Sequence, residues 1–138
     1  MILFIDTDIL IDVALDRHPF VSSAAKLLDA LEKRPGLAYI AWDSISNFYY
    51  MVKPTQGSPP TKAFIRELLR FVQVAPTSGK DVLYALRLPL SDFEDALQCA
   101  AAIASGADFI VSRNFKDYRN SPVPAQRPEA VLKMLSRK

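Results

Sequence analysis

The chain has 138 residues, half of them hydrophobic, with 17 Lys and Arg against 15 Asp and Glu. This composition predicts one folded domain over residues 1–138 and argues against disorder, while a net charge of +2 does not by itself indicate a nucleic-acid partner. A single Cys and a single His argue against a disulfide framework or a zinc site, so any metal would need oxygen ligands. Because the chain has no leader-like start and no apolar run of membrane length, we expect a cytoplasmic protein with no membrane partner.

The first apolar run, residues 2–5, is too short for a helix and too continuously apolar for a sheet with one wet face. It predicts a central parallel strand that ends at Asp6, followed by a short helix. Ligands of open α/β sheets bind beyond the carboxyl ends of the strands, so Asp6 is a candidate site residue. The alternative is that Asp6, Asp8 and Asp12 only serve the start of the helix, but Asp6 comes too early for a natural cap. We expect supporting or surface roles for Asp8 and Asp12.

The following segments alternate between helical and strand patterns. Helical periodicity predicts helices over residues 20–32, 44–52 and 80–88, and short apolar runs predict strands over residues 37–41 and 71–75. The proline-rich residues 53–60 predict a loop.

A helix that begins near Pro60 would place three basic residues on one face, at intervals of four residues. These residues are Lys62, Arg66 and Arg70. A solvated face is the default interpretation, and contact with RNA phosphates is the alternative.

Ser91 and Glu94 have the spacing of a capping box, which predicts that a helix begins here and continues to Gly106. Asp92 and Asp95 then share a face, and we expect Glu94 to point elsewhere. Asp92 could merely complement the helix dipole. Asp95 precedes a run of small apolar residues, and an acid on a face packed against a sheet needs a partner or a metal.

The last part of the chain predicts a strand over residues 108–112, an edge strand near residues 121–125 and a final helix over residues 129–136. Alternating strands and helices predict a three-layer α/β/α fold with a mostly parallel sheet of four to five strands, whose carboxyl ends share one edge. Asp6, Asp95 and Asp117 would converge there. Three carboxylates need a cation, and Mg²⁺ or Mn²⁺ suits oxygen ligands and phosphodiester hydrolysis.

Three motifs carry a resemblance that covers almost the whole chain. They are FIDTDIL at residues 4–10, DFEDALQ at residues 92–98 and VSRNFKDY at residues 111–118. Together they resemble the PIN domain, the fold of many VapC-type toxin ribonucleases. The resemblance implies a Mg²⁺- or Mn²⁺-dependent endoribonuclease that forms a homodimer and is restrained by a small antitoxin protein.

The resemblance also implies roles for individual residues. Asp6 and Asp95 would be metal ligands and catalytic, Asp117 or Asn114 would complete the site, and Thr7 or Ser112 would support it. Separately from the resemblance, we hypothesise that RNA is held by Arg113, Lys116 or the basic face that includes Lys62 and Arg66.

The chain departs from the family pattern at two positions. Asp8 stands where the family commonly has Asn, and Asn47 offers a neutral amide where the family usually has Glu. We hypothesise that Asp43 partly compensates, because it lies four residues before Asn47 on the same helical face.

Two alternatives remain open. A PIN fold that binds RNA or a partner protein without cutting is favoured by Asn47. A phosphatase of the haloacid-dehalogenase type is suggested by residues 6–8, but Leu10 stands where Thr or Val would be expected and no suitable lysine motif follows.

Overall fold

The computed structural model describes residues 1–137 and has a parallel sheet at its centre. The strands are β1 (Leu3–Ile5), β2 (Ala38–Ile40), β3 (Val72–Val74), β4 (Phe109–Val111) and β5 (Ala125–Gln126). Their order is β3-β2-β1-β4-β5, and every pairing is parallel. Leu3 pairs with Ala38 on one side and with Phe109 on the other. The prediction of a central parallel strand before Asp6 is therefore confirmed.

Helices cover both faces of the sheet. They are α1 (Thr7–Ala14), α2 (Val21–Glu32), α3 (Trp42–Gln56), α4 (Ser58–Leu68), α5 (Gly79–Ala85), α6 (Phe93–Ala104) and α7 (Pro128–Ser136), with a short 3₁₀ helix at Phe115–Tyr118. Leu3 and Ile5 belong to one core cluster, whereas Phe4 packs into a second cluster with Cys99 of α6. Alternate residues of β1 thus face opposite layers, as a strand requires. The predicted three-layer α/β/α architecture is confirmed.

The proline-rich segment is not a loop, and that prediction was wrong. Helix α3 continues to Gln56 and α4 begins at Ser58, so that Gly57 alone separates them. Gly57 has a φ of +84°, a left-handed conformation that costs glycine little. Pro59 lies in the first turn of α4, where a backbone N–H would have no helical partner. The proline-rich segment therefore forms a sharp corner between α3 and α4.

The predicted start of α6 was right to within two residues, but the predicted capping box was wrong. Asp92, not Ser91, is the N-cap, and its Oδ1 accepts hydrogen bonds from the backbone N–H groups of Glu94 (2.8 Å) and Asp95 (3.3 Å). The carboxylate of Asp92 can reach both amides because it lies one residue closer to them than Ser91 does.

The basic face of α4 is smaller than predicted. Arg70 lies beyond the end of the helix and pairs with Glu67 at 3.0 Å, which leaves Lys62 and Arg66 exposed on α4. None of the helices described within residues 1–137 is long and apolar enough to span a membrane. The cytoplasmic location stays a prediction.

Candidate metal centre

Asp6 lies at the carboxyl end of β1 and is 6% exposed. It occupies the N-cap position of α1 after all, yet its side chain makes no capping hydrogen bond. Instead, its Oδ2 accepts a hydrogen bond of 2.8 Å from the hydroxyl of Ser112, just beyond β4. A capping role therefore does not explain why an acid is buried at this position.

The neighbouring strand ends supply polar groups around Asp6. The Ser112 hydroxyl also accepts a hydrogen bond from the backbone N–H of Asn114 at 3.0 Å. The Asn114 side-chain amide in turn donates to Oδ2 of Asp8 at 3.0 Å. The structure thus brings together Asp6, Asp8, Ser112 and Asn114, four of the residues singled out from the sequence.

Asp95, in the first turn of α6, lies within electrostatic reach of Asp6. Burial raises the pKa of Asp95 to about 7, and the charges of Asp92, Asp6 and Asp117 add to the shift. Burial likewise raises the pKa of Asp6 to about 6, against the lowering effect of the Ser112 hydrogen bond. These groups form an acidic cluster whose members disfavour one another's charge.

The chemistry of this cluster fits a hard divalent cation, because its side chains offer only oxygen donors. Tyr118 supports this fit. Tyr118 is 3% exposed, its hydroxyl makes no close hydrogen bond, and burial followed by the nearby carboxylates of Asp6 and Asp95 raises its pKa. Across residues 1–137, however, no three acidic, His or Cys side chains converge closely enough to hold a metal. A complete site would require half-buried Asp95 and exposed Asp117 to turn inwards.

A buried network fixes the helices around the cluster. The Thr7 hydroxyl donates to Oγ of Ser44 at 2.7 Å, and the Gln98 amide donates to the same oxygen at 2.9 Å. These residues come from α1, α3 and α6, and all three side chains are buried. Thr7 was singled out from the sequence, whereas Ser44 and Gln98 were missed. Ser44 and Gln98 are each a polar residue on the apolar face of a helix, and this pattern could have indicated a buried polar network.

Glu94 is exposed at the start of α6 and reaches across to α3. The expectation that it points away from the face shared by Asp92 and Asp95 stays a prediction. Oε1 of Glu94 accepts a hydrogen bond of 3.3 Å from the side-chain amide of Asn47 on α3. Asp43, one turn before Asn47, is half-buried, and burial raises its pKa. The compensating role of Asp43 stays a prediction.

The basic residues singled out from the sequence have different surroundings. Arg113 donates from Nε to Oδ2 of Asp12 at 2.7 Å and lies 4.2 Å from the ring centroid of Phe20. Asp12 is 0% exposed, so the surface role considered for it was wrong.

Lys116 is exposed and lines a groove of about 340 Å³ beside Asp117. Contacts of Arg113, Lys116, Lys62 and Arg66 with RNA stay predictions.

Comparison with known proteins identifies the family. The sequence model of a PIN domain matches residues 3–116, most of the chain. The chain belongs to the PIN-domain family. A search of curated proteins finds no significant match.

Solved structures share the PIN fold with this chain. VapBC2 from Rickettsia felis, bound to a promoter DNA fragment, is 21% identical with a TM-score of 0.71, covering 92% of this chain and 98% of that one. A toxin–antitoxin complex from Klebsiella pneumoniae is 24% identical with a TM-score of 0.67 and coverages of 93% and 98%. VapC20 from Mycobacterium tuberculosis, a toxin that cleaves the sarcin-ricin loop, is 15% identical with a TM-score of 0.62 and coverages of 78% and 86%.

We expect the metal-free PIN domain to lose stability as pH rises. The pKa of Asp6 rises from 3.8 to about 6 on folding, and that of Asp95 from 3.8 to about 7. The folded state therefore binds more protons than the unfolded state within this window, so the free energy of unfolding falls from about pH 4 to about pH 7 and then levels off. Thermal melts in chelator across this range measure the effect. Asp6→Asn should flatten the profile, and an equally steep profile for this variant would contradict the assignment.

Proposed function

We propose that this chain is a Mg²⁺- or Mn²⁺-dependent endoribonuclease. The observation that carries the proposal is the burial of Asp6 at the carboxyl end of β1, near Asp95. Burial and neighbouring acids raise the pKa values of these two carboxyl groups to about 6 and about 7. A cation at this position would offset both the burial of the two carboxylates and the repulsion between them. Membership of the PIN family supports the choice of a nuclease.

In this proposal Asp6, Asp95 and Asp117 hold the cation through carboxylate oxygens. When bound, the cation supplies an activated water and stabilises the negative charge that develops on the phosphodiester. The Ser112 hydroxyl orients Asp6 by its hydrogen bond to Oδ2, and the backbone N–H of Asn114 orients Ser112. Because these groups are held in place before substrate binds, less entropy is lost in arranging them during the reaction, which lowers the activation free energy.

RNA would approach through the groove beside Asp117. Its lining includes the exposed basic residues Lys116 and Arg119, which suit phosphate oxygens. Arg113 is a weaker candidate, since its Nε is bonded to Asp12 and its guanidinium group stacks on Phe20.

The direct test of the function is incubation of structured RNA with the purified protein, with Mn²⁺ in one reaction and excess chelator in another. We expect cleavage with Mn²⁺ and none with chelator. Equal cleavage in the two reactions would indicate a metal-independent contaminant or mechanism. Intact RNA in both would overturn the proposed function.

A second candidate is a PIN-fold module that binds RNA or a partner protein without cutting. The neutral amide of Asn47 favours it, as does the lack of three converging ligands within residues 1–137. RNA retained in a gel-shift assay, together with no cleavage at any Mn²⁺ concentration, would support this candidate over the nuclease.

We further propose that the chain is the toxin of a toxin–antitoxin pair, with a small antitoxin as its partner. Similar folds occur in structures described as VapBC and toxin–antitoxin complexes. A short reading frame of antitoxin type beside the gene would support the proposal. The homodimer implied by the family resemblance stays a prediction.

A further inference from the structure

Glu94 and Asn47 meet at the rim of the acidic cluster. The Asn47 side-chain amide donates a hydrogen bond of 3.3 Å to Oε1 of Glu94, across the gap between α3 and α6. One carboxylate and one side-chain amide therefore face each other between the two helices. The acid comes from α6, whereas the family resemblance expects it at position 47 on α3.

A second contact shows that the two helices present these faces to each other. Ser44 lies three residues before Asn47, and Gln98 lies four residues after Glu94, which places each pair on one face of its helix. The Gln98 amide donates to Oγ of Ser44 at 2.9 Å, and both side chains are buried. The Asn47–Glu94 and Gln98–Ser44 hydrogen bonds therefore join the same two helix faces.

The surroundings of Glu94 connect it with the carboxylates at the strand ends. Glu94 directly precedes Asp95 in the first turn of α6 and is exposed, and it lies within electrostatic reach of Asp92, Asp8 and Asp43. Glu94 is in turn among the charges that raise the pKa values of Asp6 and Asp95.

The Tyr118 hydroxyl points independently to a ligand at the cluster. It is buried and makes no close hydrogen bond in the protein, and it lies beside the carboxylates of Asp6 and Asp95. Buried polar groups rarely remain unpaired, so a group such as a metal-bound water would satisfy it.

We propose that Glu94 is a further metal ligand of this PIN domain and that Asn47 orients its carboxylate towards the cation. The proposal rests on the proposed function, because it assigns a residue to the same metal centre. Asn at position 47 has a physical reason here: a second carboxylate at hydrogen-bond distance from Glu94 would repel it, whereas an amide donates to it. The acid expected on α3 is then supplied from α6.

Calorimetric titration with Mn²⁺ tests this assignment without requiring activity. We expect Glu94→Gln to weaken Mn²⁺ affinity at least tenfold, because one charged oxygen ligand is lost. Asn47→Glu alone should lower the melting temperature of the metal-free protein, because it adds a like charge beside Glu94. The exchange variant Asn47→Glu/Glu94→Gln should recover Mn²⁺ affinity to within about threefold of the wild type, since one acid and one amide again face each other.

Three variants make the result specific. Glu129→Gln removes an exposed acid from the first turn of α7 and should leave affinity unchanged. Asp43→Asn tests the competing hypothesis of compensation by Asp43, and an effect on affinity there with none for Glu94→Gln would overturn the assignment. Asp6→Asn should abolish binding.

The outcomes separate this inference from the proposed function. Wild-type affinity in Glu94→Gln, with binding lost in Asp6→Asn, would overturn the role of Glu94 and leave the metal centre in place. Failure of the exchange variant to bind Mn²⁺ while its melting curve stays cooperative would also overturn it. No binding by the wild type would overturn the proposed function and this inference together.

Discussion

Asp6→Asn should lower the rate of Mn²⁺-dependent RNA cleavage by about 10²- to 10³-fold while the protein stays folded. The amide keeps the size of the side chain but removes the charge that would hold the cation. A metal ion contributes several kcal/mol of transition-state stabilisation, and each 1.36 kcal/mol corresponds to about a tenfold change in rate. Initial cleavage rates measured on one RNA at saturating Mn²⁺ give the comparison.

The matched control for this variant is Asp29→Asn, which makes the same chemical change at an exposed position on α2. We expect its cleavage rate to equal that of the wild type. Asp6→Asn should also be more stable than the wild type without metal near neutral pH, since it removes a buried charge. Wild-type cleavage by the Asp6→Asn variant would show that RNA cleavage does not require the carboxylate of Asp6.

Arg113→Ala should destabilise the protein by about 3 kcal/mol, because it leaves the carboxylate of Asp12 buried without its main partner. Asp12 is 0% exposed, and its remaining cation, Arg17, lies 3.8 Å away. The stack of the guanidinium group on Phe20 would be lost as well. Urea unfolding of the metal-free protein measures the difference in free energy.

Arg119→Ala serves as the control, because Arg119 is exposed and lies on the same segment after β4. Its effect should stay within about 0.5 kcal/mol. The double variant Asp12→Leu/Arg113→Leu should recover part of the stability, as replacement of a whole buried pair often does. Equal stability of Arg113→Ala and the wild type would show that Asp12 does not depend on this ion pair.

Much of the framework could be predicted because it depends on local patterns. A short apolar run that stops at an acid predicted both β1 and the position of Asp6 at its carboxyl end, and the alternation of elements predicted a mostly parallel sheet. These features depend on residues close together in the sequence. The three motifs added the family, which the match over residues 3–116 confirms.

The errors arose where distant segments decide the structure. The contact between Arg113 and Asp12 joins residues 101 positions apart, and that between Asn47 and Glu94 joins residues 47 positions apart. Periodicity along one helix does not show which neighbouring helix a side chain will meet. The helix corner at Gly57 was missed for another reason. Pro59 is tolerated in the first turn of α4 and Pro54 lies in the last turn of α3, so the number of prolines alone did not indicate a loop.

We propose above all that the acidic cluster at the strand ends binds a divalent cation. Calorimetric titration of the wild type and of Asp95→Asn with Mn²⁺ near neutral pH tests it most directly. We expect saturable binding by the wild type, with proton release as the carboxyl groups whose pKa values are raised ionise, and at least tenfold weaker binding by Asp95→Asn. Absence of binding heat for the wild type, or the same affinity in both proteins, would contradict it.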